Sequence, residues 1–304
     1  MTQVYLLVFG SFGAGIVLAS VWRLTRGRAS ALPAGPASRL TLTAGLIVLL
    51  GDLATRAMAA TPLMPFDVPS ALSWWYLDYR FTVPVVAGVL AVTLLALPVH
   101  ARRGRCTAEL TRRSLVSFAR PWWFVPLGAL LALVVLVTIV AGAASQPDSS
   151  TGRYMSYEVD VGGYTMGTNI YGWFYSVPAI VSVGVLLVVA TVGMSFVARP
   201  ALAEDRQADI RVRTARTRNI VAATTGVLLL LLGDICGSLA GTASLRSTFA
   251  TSEGPVSFWT TFSALGPALI AASTLCTALG VALWAAVTLS GVPGRRRAPV
   301  TVGS

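Results

Sequence analysis

The stretch NIVAATTGVLLLLLGDICGSLAGTA, residues 219–243, decides the fold. A spanning helix needs about twenty mostly apolar residues to cross a hydrocarbon layer about 30 Å thick, and this segment has them. In lipid it has to be a helix, because only a helix satisfies its own backbone N–H and C=O groups there. Six further runs have the same character, at about 3–22, 40–60, 81–99, 121–144, 172–197 and 261–290. Together they predict an all-α integral membrane protein with seven transmembrane helices.

Composition leads to the same class. Of 304 residues 55% are hydrophobic and only 12% charged, and the mean hydropathy is +0.73. A soluble chain of this size cannot hide so much apolar side chain, so a soluble enzyme, a disordered chain and a disulfide scaffold are excluded. The net charge of +11 comes from 23 basic residues, all arginine. Nineteen of them fall in four segments: 23–39, 100–120, 198–218 and the tail beyond 290. That grouping reads as positive-inside topology rather than as a nucleic-acid face. It places the N-terminus outside and the C-terminus in the cytoplasm. The connections 61–80, 145–171 and 244–260 hold only Arg80, Arg153 and Arg246 and belong outside. Met1-Thr2-Gln3 lacks the positive region of a signal peptide, so the first run is expected to stay as an anchor. Abundant alanine, glycine and arginine without lysine suggest a GC-rich bacterial genome, and hence a multi-pass protein of the bacterial inner (plasma) membrane.

The quoted stretch has an echo. Leu231-Leu232-Gly233-Asp234 matches Leu49-Leu50-Gly51-Asp52 in the second run. Each follows a glycine-bearing apolar stretch (Gly226, Gly45), and each is followed by an outer loop ending in tryptophan, Ser257-Phe258-Trp259 or Ser73-Trp74-Trp75. The next helix then finishes at an arginine cluster, Arg295-Arg296-Arg297 or Arg102-Arg103-Gly104-Arg105. The expected organisation is therefore a first three-helix repeat at 1–105, an interfacial segment and connector helix at 106–144, an outer loop at 145–171, and a second repeat with its tail at 172–304. Parallel repeats of this kind occur in transporters, where they pack about an axis along the membrane normal.

Charges inside a membrane are costly and mark candidate sites. Asp52, Arg56 and Asp234 are the ones within the runs. Asp52 and Asp234 lie about 18 and 22 Å from the cytoplasmic starts of their helices. Arg56 follows Asp52 by four positions and can pair with it; Asp234 has no such partner on its own helix. The two aspartates either tie helices together or form a proton or ligand site between the repeats. Gly-Asp in an apolar helix also resembles the GxGD motif of intramembrane aspartyl proteases, which implies two carboxylates sharing a proton. Leu49 and Leu231 stand where that motif has its first glycine, and no Tyr-Asp partner motif lies in a membrane helix. Small residues at intervals of four, Gly233, Gly237 and Gly241 in one helix and Gly51, Thr55 and Ala59 in the other, predict close packing that makes these two helices the tight centre of the bundle.

Outside the runs, residues 154–161 alternate, with Tyr154, Ser156, Glu158 and Asp160 on one face and Met155, Tyr157, Val159 and Val161 on the other. Gly162-Gly163 supplies a turn, which predicts an extracellular β-hairpin. It packs as a lid over the outer mouth or meets an extracellular ligand through Tyr154, Glu158 and Asp160. This is expected to be the only strand-like pattern. Cys106, Cys236 and Cys276 form no disulfide framework, and with His100 as the sole histidine no metal or cofactor is expected. The segment 198–218, with Asp209 and Arg213 spaced to pair, suits anionic lipid or a cytoplasmic partner. The leading function is a permease-like or transporter-accessory component with a polar site near Asp52 and Asp234. The alternative is a receptor or regulatory partner sensing a ligand through 145–171, and an intramembrane enzyme comes third.

Overall fold

The computed structural model describes residues 2–25, 32–60, 69–98, 118–161, 164–199, 206–251 and 254–293. Helix α1 spans Thr2–Thr25, α2 Pro36–Ala59, α3 Ser70–Tyr79 and α4 Thr82–Ala96. They are followed by α5 (Phe124–Ala143), α6 (Trp173–Ala198), α7 (Arg206–Ala243) and α8 (Gly266–Ser290). Five helical segments, at Pro36–Ala59, Pro121–Ala143, Trp173–Ala198, Arg206–Ala243 and Ser263–Ser290, are long and apolar enough to cross a membrane. The pair α3 and α4 makes a sixth if its halves are one span, and α1 adds a shorter apolar stretch, Phe9–Thr25. Outward-facing side chains agree with that class. Val177, Val181, Val185, Val188, Val192 and Phe196 form one exposed apolar stripe down α6. Such a stripe at helical spacing suits lipid and not water.

The core centres on α7, which is buried on nearly all sides from Asn219 to Cys236. It packs most extensively on α8 and also on α4, α5 and α6. Close approach is possible because small residues meet large ones. A Cβ on Gly226 would come within 2.8 Å of the fully buried Trp284 ring, and one on Gly280 within 2.9 Å of Leu230. Helix α2 lies instead against α4 and α8, with Gly45 pressed on Thr288. This corrects the expectation that the second and sixth runs form the tight centre: α7 alone does. The small residues of α2 and α7 leave room between the two helices instead of closing it.

Three further features differ from the sequence reading. Residues 70–79, expected within a loop, form α3, and its axis turns 76° into α4 at Arg80 and Phe81. Phe81 is buried edge-on against Tyr171 and Tyr175, with ring centroids 4.6 and 5.5 Å away, which pins the corner. Second, a strand pair that the alternation did not signal joins α7 to α8: β4 (Arg246–Thr251) pairs antiparallel with β5 (Gly254–Trp259). Third, α7 begins at Arg206 and runs unbroken for 38 residues, well before the apolar run expected to start at 219, so its arginine-bearing start continues the same helix. Arg213 pairs with Asp209 at 2.8 Å and donates to the Val197 carbonyl at 3.2 Å. Arg216 donates to the Leu97 carbonyl at 2.6 Å and to that of Leu95 at 3.1 Å. These guanidinium groups satisfy carbonyls orphaned at the ends of α6 and α4.

Between α5 and α6 lie β1 (Gln146–Pro147), β2 (Tyr154–Val161) and β3 (Tyr164–Asn169), in the order β1-β2-β3. Val161 pairs with Tyr164, and Gly162-Gly163, expected to supply the turn, lie outside the described residues. The sheet is docked on the helices at one end of the bundle. Thr242 of α7 donates to the Asn169 carbonyl at 2.9 Å, Tyr157 bonds Thr261 at 2.8 Å, and Arg153 pairs with Asp78 of α3 at 3.2 Å. His100, Cys106 and the clusters at 102–105 and 295–297 also lie outside the described residues.

Candidate functional site

Where α2 and α7 stand apart, a cavity of about 630 Å³ opens at the hairpin end of the bundle. Thr55, Arg56 and Ala59 of α2 line one wall, and Gly233, Asp234, Gly237, Ser238, Gly241 and Thr242 of α7 the opposite one. Ser273, Thr274 and Thr277 of α8 form the side, Tyr76, Arg80 and Phe81 the corner, Ser11 of α1 a further edge, and Thr168 and Asn169 of β3 the roof. The helical period puts Asp234, Ser238 and Thr242 in one row, since positions four apart share a face. The glycines beside them supply the space. A Cβ on Gly241 would meet nothing within 4 Å, whereas on Gly237 it would come 3.1 Å from the Ser273 hydroxyl.

The charges inside are arranged unequally. Asp52 is buried and accepts from Arg56 through both oxygens, Nε to Oδ2 at 2.7 Å and Nη2 to Oδ1 at 3.3 Å. Arg56 also reaches the Ser11 hydroxyl at 3.5 Å. This is a closed, bidentate, charge-assisted pair. Asp234 shares the cavity with Asp52, Arg56 and Arg80, but no hydrogen bond or ion pair from a described residue reaches its carboxylate. Arg80 is the mirror case. Its guanidinium stacks over Phe81 and Tyr175 at 4.7 and 5.2 Å and reaches the Ser238 hydroxyl at only 3.4 Å. Its Nε is buried with no partner. The cavity thus contains one closed ion pair and one open pair.

Asp52, Arg56 and Asp234 are therefore brought together, as are Gly233, Gly237 and Gly241; Gly51 is not on the wall and faces only Ala87, at 3.9 Å. Tyr154, Glu158 and Asp160 stay exposed on β2 and do not line the cavity. The Ser156 hydroxyl donates to Glu158 at 3.3 Å. Arg80, counted in the sequence as a loop arginine, is a cavity-lining residue that the sequence reading missed, together with Tyr76. A signal existed, since Arg80 abuts the apolar run beginning at Phe81 and the aromatic cluster Trp74-Trp75-Tyr76. Both oxygens of Asp52 are taken by Arg56, which is not how a proton-sharing carboxylate pair is held. Among the described residues no group of three or more His, Cys, Asp or Glu could hold a metal ion. Outside the helices, the hydroxyls of Ser150 and Thr151 and their backbone N–H groups donate to Asp148 and hold its carboxyl below the ordinary value.

The fold and site define a polytopic helical membrane protein with a polar, charge-bearing cavity set into one end of an apolar bundle. Comparison with protein-family models, with curated proteins and with solved structures gives no match.

Proposed function

We propose that this chain crosses the plasma membrane seven times, N-terminus outside and C-terminus inside, as two parallel three-helix repeats that clasp a small-solute site, and that it works as a permease-like or transporter-accessory component. The observation that carries the reading is the cavity between the two Gly-Asp helices, with Asp234 open to it. Its volume falls within the few hundred to about 1,000 Å³ usual for small-molecule sites. Packing supports the repeat. If α1, α2 and α3–α4 correspond to α6, α7 and α8, then α1 on α8 answers α6 on α4, and α2 on α8 answers α7 on α4. At matching levels Gly45 of α2 meets Thr288 of α8, and Val227 of α7 meets Gly88 of α4.

One observation favours the receptor alternative. One to two turns beyond Asp234 the bundle is close-packed by Leu230, Leu231, Val227 and Trp284, and the pocket nearer the other end, by Arg216 and Asn219, holds only about 10 Å³. A binding protein needs no more than a one-ended cavity, while a permease alternates this state with one open to the other side.

The test is thermal unfolding of the purified full chain against separate pools of cationic, anionic, zwitterionic and neutral small solutes, with Asp234→Asn alongside. At least one pool raises the Tm of the wild type by several degrees and not that of the variant. If none does, the cavity is not a solute site. The effective solute then accumulates inside reconstituted vesicles for a permease, and binds without entering for a receptor. Tags at the N-terminus and in 145–170 are accessible from outside the cell, while tags in 198–218 and at Ser304 are protected; the reverse pattern overturns the topology.

A further inference from the structure

Resting on the reading of the cavity as a solute site, the open pair names the solute's chemistry. Asp52 and Arg56 cancel one another within α2. What remains facing the same space is one carboxylate, Asp234, and one guanidinium, Arg80. Arg80 reaches the hydroxyl of Ser238, four residues along α7 from Asp234. Ser238 lies about one helical turn, about 6 Å, from Asp234 along α7, so the two charges face one short stretch of the wall. Unlike charges so placed attract strongly where water is scarce, yet they make no direct ion pair, and Arg80 Nε is left buried without an acceptor.

We propose that the cavity takes a small zwitterion of the amino-acid type, its ammonium on Asp234 and its carboxylate on Arg80. Each alternative leaves a charge unanswered. A simple cation answers Asp234 but leaves Arg80 without a counter-charge, a simple anion answers Arg80 but leaves Asp234 without one, and a neutral solute leaves both. A zwitterion completes both at once. Planar recognition of a carboxylate is what a guanidinium does best. The hydroxyls of Ser273 and Thr277 on the neighbouring α8 wall can take the remaining ammonium hydrogens. Cavity space beyond the charged pair leaves room for a side chain.

The probes are L-alanine, L-leucine and L-phenylalanine, each beside its amide, which keeps only the ammonium, and its deaminated acid, which keeps only the carboxylate. Binding is read by Tm shift and by calorimetry on the purified full-length protein. At least one zwitterion stabilises the wild type, and its amide and deaminated acid bind at least ten-fold more weakly. Asp234→Asn lowers zwitterion affinity to that of the deaminated acid, and Arg80→Gln lowers it to that of the amide. Should Arg80→Gln fail to fold, Ser238→Ala, which frees Arg80 from its tether, weakens the zwitterion and the deaminated acid while leaving the amide unchanged. The proposal is overturned if an amide or acid binds as tightly as its zwitterion, or if no zwitterion shifts the Tm. When another solute pool stabilises the wild type but not Asp234→Asn, only the zwitterion assignment falls; when every pool is silent, the solute site falls with it.

Discussion

Helices α2 and α7 carry the same four residues, Leu-Leu-Gly-Asp, and use them in opposite ways. The difference lies four positions further on. After Asp52 that position is Arg56, and the carboxylate is closed by its own helix. After Asp234 it is Ser238, and the guanidinium found there belongs to Arg80, delivered from the α3–α4 corner and held by a 3.4 Å contact. A charge partner on the same helix makes a fixed structural pair. One brought from a separate element leaves a gap that a third party can fill.

The largest effect separates the two aspartates. Asp52→Asn leaves Arg56 without its counter-ion and is expected to cost about 3–5 kcal/mol, whereas Asp234→Asn is expected to cost under about 1 kcal/mol. Unfolding of the two purified variants beside wild type decides it, and equal losses would erase the distinction. Next come the two motif glycines. A Cβ on Gly233 would come 2.6 Å from the Thr277 hydroxyl, while one on Gly51 finds Ala87 at 3.9 Å. Gly233→Ala therefore destabilises by about 1–3 kcal/mol through overpacking. Gly51→Ala is neutral or stabilising by up to about 1 kcal/mol through helix propensity. The same melting series reads both, and a loss at Gly51 would show that α2 packs as tightly there as α7 does.

Pairs at the exposed end rank lower. Arg153→Ala removes the half-exposed ion pair to Asp78, and a change above about 1 kcal/mol would be out of scale for such a pair. The smallest expected effect is Asp148→Asn. The folded carboxyl titrates below its ordinary value of 3.8, so its contribution is complete above that value and is lost as pH falls through the lowered one. Wild type should therefore be slightly more stable than the variant near neutrality, and the two should converge as pH falls below the ordinary carboxylate value; a gap that opens only on the acid side would contradict the assignment.

How much of this was legible follows from which forces act locally. The apolar runs announced themselves because the bilayer demands length and backbone self-satisfaction of every span separately. The Asp52–Arg56 pair was legible because i and i+4 on a helix are neighbours by geometry. Arg80 was not, because its place depends on a 76° corner that no local periodicity encodes. Counting arginines by connection had put it in water. The pair β4 and β5 was missed for a related reason. Residues 246–251, Arg-Ser-Thr-Phe-Ala-Thr, show no two-residue alternation, and the strands form where the ends of α7 and α8 hold them side by side. The small-residue ridges were read half rightly: Gly233 and Gly237 bring α7 close to α8, while toward α2 the same helix leaves a space.

The uninterrupted length of α7 makes it a ruler. Arg218 and Asp234 are sixteen residues apart on one helix, or about 24 Å. On the proposed spanning arrangement, a headgroup level at Arg218 would leave the open carboxylate about 6 Å short of the far edge of a hydrocarbon layer about 30 Å thick. A bilayer only a few ångströms thinner would bring the cavity level with the headgroups, and a thicker one would draw acyl chains up around its mouth. On that arrangement membrane thickness, and with it lipid composition, would set how freely the cavity meets water.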